Sequence, residues 1–244
     1  MKKKTVFISG STRGIGFNLA KKFIEDEYEV LINGSNLKNL KKASSKLGNC
    51  KYYLADLTDE IQIKSLRNKL IKQKKKLDIL ICNYGHSKKS KTDLNFDYAY
   101  KTNFFSTTNL IFGLKKLFNK KYMDIICISS ICGKYVIPGA PIGYSLAKSS
   151  LNHFVKLINF HPDFSNIKIN SIALGNVMFK GSLWEKKIKK NKKETLEFIK
   201  KNVPNKKFIS INDIYELCSL LVNKKNKSLT GSTIVLDNGQ NRSF

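Results

Sequence analysis

The chain has 244 residues, 41% of them hydrophobic and 26% charged, with a formal net charge of +27. That length buries one sizeable core, and the composition excludes a collagen, a disulfide scaffold and a wholly disordered chain. No apolar run approaches the ~20 residues that span a bilayer, which argues against a membrane partner.

Short β-rich runs alternate with helical stretches along the whole chain. Strands are expected at 6–9, 30–33, 52–55, 79–82, 125–129, 167–173 and 233–236. Helices are expected at 15–26, 37–47, 59–75, 96–117, 144–159, 184–200 and 211–222. The strands are hydrophobic throughout, as in a parallel sheet covered on both faces. The expected class is therefore α/β: a Rossmann-like doubly wound parallel sheet of about seven strands, with helices on both faces. No linker or repeat interrupts it, so 1–244 reads as a single domain.

The charge invites a nucleic-acid reading. Arginine, however, occurs only at Arg13, Arg67 and Arg242, so the excess is almost all lysine. Arginine is the residue suited to bidentate phosphate and base contacts. With 24 Asn and 26 Ile beside the lysines, the composition fits an A/T-rich coding bias, and no specific nucleic-acid partner is expected. The five cysteines form no Cys-x-x-Cys pair and fall mostly in apolar patterns. Together with a start too short in apolar residues for a leader, they suggest small buried hydrophobes in a reducing cytoplasm.

Ligands of open α/β sheets bind beyond the carboxyl ends of the strands. After the first strand comes Ser9-Gly10-Ser11-Thr12-Arg13-Gly14-Ile15-Gly16, opening a helix. Its glycines permit a tight turn and close approach of a pyrophosphate to the helix N-terminus. After the second strand, Asn33-Gly34-Ser35-Asn36 carries no acid to hold a ribose 2′-hydroxyl, while Arg13 suits a 2′-phosphate. NADP(H) is thus favoured over NAD(H). Asp56-Leu57 after the third strand is placed to meet the adenine, with Thr58 or Asp59 capping the next helix. Asn83 and Gly85 after the fourth strand shape a cofactor wall.

Ser130 ends the fifth strand, and Tyr144-x-x-x-Lys148 opens the helix after it. With ten tyrosines and so many lysines, about 1.7 such spacings arise by chance, and two occur: Tyr84–Lys88 and Tyr144–Lys148. Only the second lies on a helix, where both side chains share a face. There the ammonium is expected to lower the phenol's pKa toward working pH. Tyr144 would then exchange a proton with a carbonyl or alcohol oxygen to which Ser130 donates a hydrogen bond. Lys148 would bind the nicotinamide ribose. Asn103, which by itself reads as a helix-surface amide, would hold a water that links Lys148 to solvent.

These features resemble, in order and over nearly the whole chain, the short-chain dehydrogenase/reductase family, in particular its 3-oxoacyl-acyl-carrier-protein reductase-like group. The resemblance rests on Gly10-x-x-x-Gly14-x-Gly16, Asp56-Leu57, Asn83-x-Gly85, Asn103, Ser130, Tyr144, Lys148, Asn170 and Leu229-Thr230-Gly231. It implies an NAD(P)-dependent oxidoreductase that interconverts a carbonyl and a secondary alcohol, with an Asn103–Ser130–Tyr144–Lys148 tetrad. It also implies that 1–244 is one NAD(P)-binding domain with a substrate lid at about 177–200, a homotetramer or homodimer, and a small-molecule or carrier-bound substrate, a 3-oxoacyl thioester first. The 177–193 segment and the 239–244 ending also resemble, more weakly, reductases of surface-sugar biosynthesis, so a keto or hydroxy sugar is the alternative substrate; a non-enzymatic dinucleotide sensor is the second alternative.

The sequence departs from the family pattern at several places. Cys82 and Tyr84 flank the wall, Leu174-Gly175 replaces a Pro-Gly, and Asn238 replaces a glycine. The threonine that usually holds the carboxamide is missing, leaving Val177 to bind the nicotinamide through backbone groups. Carrier-docking arginines are not evident; Lys120 and Lys121 stand nearest.

Overall fold

The computed structural model describes residues 3–87 and 95–242. Lys88 of the chance Tyr-x-x-x-Lys spacing, the first two residues and the last two lie outside the described residues.

Seven parallel strands form one sheet in the order β3-β2-β1-β4-β5-β6-β7. They are β1 (Thr5–Ile8), β2 (Glu29–Gly34), β3 (Cys50–Leu54), β4 (Ile79–Cys82), β5 (Met123–Ser130), β6 (Ile167–Leu174) and β7 (Thr233–Leu236). Alternate side chains of each strand feed two cores. Phe7, Leu31, Leu80, Ile125 and Ile169 face one layer; Val6, Ile8, Ile32, Ile79, Ile81 and Ile172 face the other.

The first layer is α3 (Glu60–Lys72), α5 (Ser106–Leu114) and α6 (Ile142–Ile158), which contribute Ile63, Leu66, Leu110, Leu114, Leu151 and Val155. The second is α1 (Gly14–Glu25), α2 (Leu37–Leu47) and α9 (Ile211–Leu221), which contribute Leu19, Phe23, Leu40, Ile214 and Cys218. The doubly wound expectation holds. Full coverage fails at the edge strand β3, where Lys51, Tyr52 and Leu54 are exposed.

Two helices differ from the expected pattern. The stretch 96–117 is not uniform: α4 (Phe96–Tyr100) passes through a π-turn at Lys101–Phe105 into α5 and ends in a 3₁₀ turn. The run 184–200 breaks into α7 (Leu183–Lys190) and α8 (Lys192–Asn202). Asn191 is the reason: its extended backbone (φ −152°) cannot continue a helix, and its side chain accepts the Glu194 N–H, which caps α8.

Asp59, not Thr58, caps α3, accepting from the Ile61 and Gln62 N–H groups. Asn170 is fully enclosed and acts as a clasp: its amide donates to the Leu229 carbonyl (2.8 Å) and accepts the Ser232 N–H (3.1 Å), which ties β6 to the approach of β7. Asn238 sits at φ +56°, a conformation that Asn tolerates nearly as glycine does. Cys82, Cys127 and Cys218 are buried as expected; Cys50 and Cys132 are only partly so. Among the described residues, no helix is long and apolar enough to cross a membrane.

Candidate active site

The strand order reverses between β1 and β4, and the candidate residues gather at that carboxyl edge. The glycine loop after β1 is braced by Asn83 and Tyr84. Asn83 donates from its side-chain amide to the Ser9 carbonyl (3.0 Å) and the Gly10 carbonyl (3.1 Å). A side chain at Gly16 would begin 2.5 Å from that same amide, and one at Gly10 would begin 3.0 Å from Tyr84 Cα. Gly10 (φ +59°) and Gly14 (φ +64°) also need the left-handed backbone. Asn83 is therefore a brace of the loop, with its amide committed to loop carbonyls.

Ser11 must be corrected. It is fully buried, its hydroxyl donates to the Ile8 carbonyl (2.7 Å) and accepts the Asn33 N–H (2.9 Å), and its own N–H reaches the Asn33 carbonyl. It pins β1 to β2 and has no group left for a cofactor. Thr12 is partly buried and packs over Gly34. Arg13 is exposed, with extended backbone just before α1, and its guanidinium has no ion-pair partner among the described residues. Ile15 lines the same loop, packed on the second core.

Ser35 is exposed beside the loop, whereas Asn36 is used as the cap of α2. Asp56 accepts the Thr58 N–H and hydroxyl through Oδ1 (2.9 and 2.8 Å), which fixes the turn and leaves Oδ2 open. The Leu57 side chain is core, so only its backbone can meet a ligand.

The tetrad residues do converge. Ser130 Oγ accepts the Cys132 N–H (3.2 Å) and lies beside the Tyr144 phenol. Lys148 is buried, and its ammonium donates to the Ile128 carbonyl (2.8 Å). Asn103 is 1% exposed, so it is not a surface amide. It lies inside the π-turn, and its amide donates to the His86 and Ala99 carbonyls (both 3.1 Å). Its Oδ1 is buried with no hydrogen-bond partner among the described residues. A side chain at Gly85 would begin 2.7 Å from that Oδ1 and 3.4 Å from Lys148 Nζ. An open acceptor and an ammonium thus face one notch, which only glycine leaves clear.

The electrostatics reverse the sequence expectation. Burial pushes the Tyr144 phenol up to about 12; the neighbouring Ser130 hydroxyl opposes this, and Cys132 adds to it. Burial outweighs the Lys148 ammonium, which is turned to the Ile128 carbonyl and lies 6.0 Å from the ring centre. Burial instead lowers Lys148 to about 8, against the raising influence of Cys127 and Cys82. The phenol is therefore a proton donor at neutral pH, beside a lysine that titrates just above it.

Beyond β6, Val177 forms a bridge with Ile209. Met178 N–H donates to the Ile209 carbonyl and Ile209 N–H to the Asn176 carbonyl, both 2.9 Å. The N–H and C=O of Val177 itself consequently point to the other side, as its expected backbone role requires.

The protein-family model described as "Enoyl-(Acyl carrier protein) reductase" matches residues 10–241. The chain belongs to the short-chain dehydrogenase/reductase family. The 3-oxoacyl-[acyl-carrier-protein] reductase FabG of Rickettsia bellii is 30% identical over 251 residues, covering 97% of this chain and 96% of the relative. The L-sorbose reductase of Gluconobacter frateurii, solved with NADPH and L-sorbose, superposes at a TM-score of 0.87 with 19% identity, covering 100% and 98% of the two chains. An NADPH-bound short-chain oxidoreductase of Pseudomonas aeruginosa described as having an atypical catalytic centre superposes at 0.86 with 18% identity, covering 99% and 98%. This short-chain dehydrogenase/reductase is an oxidoreductase of a family that binds NAD(P). The braced glycine loop, the outward Val177 backbone and the notch at Gly85 fit a dinucleotide. Two neighbours of the site escaped the sequence reading. Cys132 touches Ser130 and Tyr144, and the Phe179 ring lies against Gly14. Their positions just past the ends of β5 and β6 were the available signal.

Proposed function

We propose that this oxidoreductase uses NADP(H) to reduce a carbonyl to a secondary alcohol, with a 3-oxoacyl thioester as its substrate class. The observation that carries the reading is the gathering of Tyr144, Lys148 and Asn103 at one edge beside Ser130: the Lys148 ammonium lies 6.0 Å from the Tyr144 ring centre and shares the Gly85 notch with Asn103, and burial keeps the phenol protonated at neutral pH. Bound NADPH would supply the hydride. Tyr144 donates a proton to the carbonyl oxygen, and Ser130 donates a hydrogen bond to that oxygen and orients it. Lys148 holds the nicotinamide ribose, and Asn103 with Lys148 returns a proton to Tyr144 through the Gly85 notch.

Preference for NADP(H) is supported by Arg13, exposed at the loop with no ion-pair partner among the described residues, and by Ser35, where an acid would select NAD(H). The 3-oxoacyl class is supported by the printed names of the relatives near 30% identity. Assembly as a homotetramer or homodimer is supported by exposed apolar side chains on α5 and α6, among them Phe112, Leu146 and Leu157. We read 1–244 as one domain with its lid at 177–200, acting in the cytoplasm.

The test follows NADPH oxidation with an acetoacetyl thioester, nucleotide sugars and keto sugars. Turnover with the thioester and its loss by 10²–10⁴-fold in Tyr144→Phe is expected. Intact activity in that variant refutes the role of Tyr144, and reduction of the sugars alone refutes the substrate class.

A further inference from the structure

The segment that leaves β6 travels far in a few residues. β6 is three strands from β1, and neighbouring strands stand about 4.8 Å apart, so about 14 Å separates their carboxyl ends. Yet Phe179, five residues past Leu174, already touches the glycine loop. Its Cε2 and Cζ lie 3.4 and 3.5 Å from the point where a Gly14 side chain would begin. The segment therefore bridges the carboxyl edge over β5 and β4, across the switch point where an open α/β sheet takes its ligand.

The bridge is anchored at both ends. On one side is the Val177–Ile209 pairing. On the other, Ser182 donates its N–H to the Phe179 carbonyl (2.9 Å), accepts the Phe179 N–H at its hydroxyl (3.4 Å) and caps α7 through the Glu185 N–H (3.0 Å). With its backbone held in that turn, Phe179 presents its ring to Gly14. The ring offers no hydrogen bond to the N–H groups that open α1, so it acts there by shape. It covers one side of a helix terminus of the kind that binds anions. An aliphatic side chain of similar reach would do part of this work, and a small one none of it.

We propose that Phe179 is a cofactor-retaining residue, its ring closing the rim of the dinucleotide groove against Gly14, where the glycine loop would hold the pyrophosphate. This rests on reading the groove as an NADP(H) site. A rim closed by contact slows departure more than arrival.

The experiment measures NADPH binding to the wild type, Phe179→Ala and Phe179→Leu by stopped-flow. It uses cofactor fluorescence together with quenching of Trp184, the single tryptophan, which stacks on Phe198 next to the bridge. Losing about half of a buried phenylalanine's contact is expected to raise Kd about tenfold in the alanine variant, mostly through the off-rate. Leucine is expected to recover most of the loss. Adenosine 2′,5′-bisphosphate lacks the bridging pyrophosphate and the nicotinamide, and is expected to bind all three proteins alike. Unchanged or tighter NADPH binding by Phe179→Ala overturns the proposal, as does equal weakening of the bisphosphate, which would mark general damage. If the wild type binds NADH but not NADPH, the cofactor reading fails instead.

Discussion

Replacing Lys148 with methionine should make the ligand-free protein more stable at neutral pH while abolishing its activity. The Lys148 ammonium is held in a buried site that lowers its pKa from 10.5 to about 8. At about 1.36 kcal/mol per unit, the folded state bears about 3 kcal/mol for keeping that charge below pH 8. Methionine removes the charge, and also the hydrogen bond to the Ile128 carbonyl, worth about 1 kcal/mol. The net gain is about 2 kcal/mol at pH 7, or ~4–8 °C in Tm for a chain of this size. The sign then changes with pH. A lysine whose folded pKa is depressed binds fewer protons folded than unfolded between 8 and 10.5, so wild-type stability rises relative to the variant over that window. By pH 10.5 the methionine variant should be the less stable by about 1 kcal/mol. Urea unfolding followed by circular dichroism at pH 7 and pH 10.5 makes the comparison, and the other lysines cancel in the difference. A variant less stable at pH 7, or two curves that stay parallel, would refute the reasoning.

Gly16→Ala places a Cβ 2.5 Å from the Asn83 amide, so stability should fall by about 1–2 kcal/mol in denaturant titration, with cofactor affinity falling in parallel. Asp59→Ala deletes the cap of α3, and a loss of about 1 kcal/mol is expected in the same assay. Arg13→Ala should weaken NADPH binding about tenfold and leave NADH unchanged, read by calorimetry with both cofactors. Burial of Glu29 disfavours its charge, but hydrogen bonds from Lys75, Lys51 and Thr5 prevail and hold it at about 2. Its contribution is present above pH 4.5 and lost as pH falls toward 2. Glu29→Gln should therefore flatten the acid limb of the stability curve, by about 1 kcal/mol after solvent screening.

Most of the sheet was legible because its inner strands are short apolar runs rich in Ile, Val and Leu, and Ile79–Cys82 and Thr233–Leu236 fall where that pattern puts them. The tetrad was legible through strand order, since the Tyr144–Lys148 spacing alone is at chance level. What escaped depends on contacts between distant segments. Ser11 reads as a loop serine, and only β2 beside it shows that Asn33 uses up its hydrogen bonds. The π-turn that buries Asn103 leaves no periodicity signal over five residues. The phenol's upward shift comes from desolvation, and desolvation is a property of the packed site rather than of spacing on one helix. Phe179 reads as an ordinary apolar residue until the 14 Å crossing brings it to Gly14.

The bracing of the glycine loop gives the groove two unequal jaws. On the β1 side, Asn83, Asn33 and the backbone of Tyr84 hold the loop before any ligand arrives, so that jaw has little left to order on binding. The opposite jaw spans open groove between the Ile209 bridge and the Ser182 turn. Entry and exit of a dinucleotide must therefore be accommodated by this second jaw. Substitutions there should change how long a ligand stays, while those in the first should change whether a site exists at all.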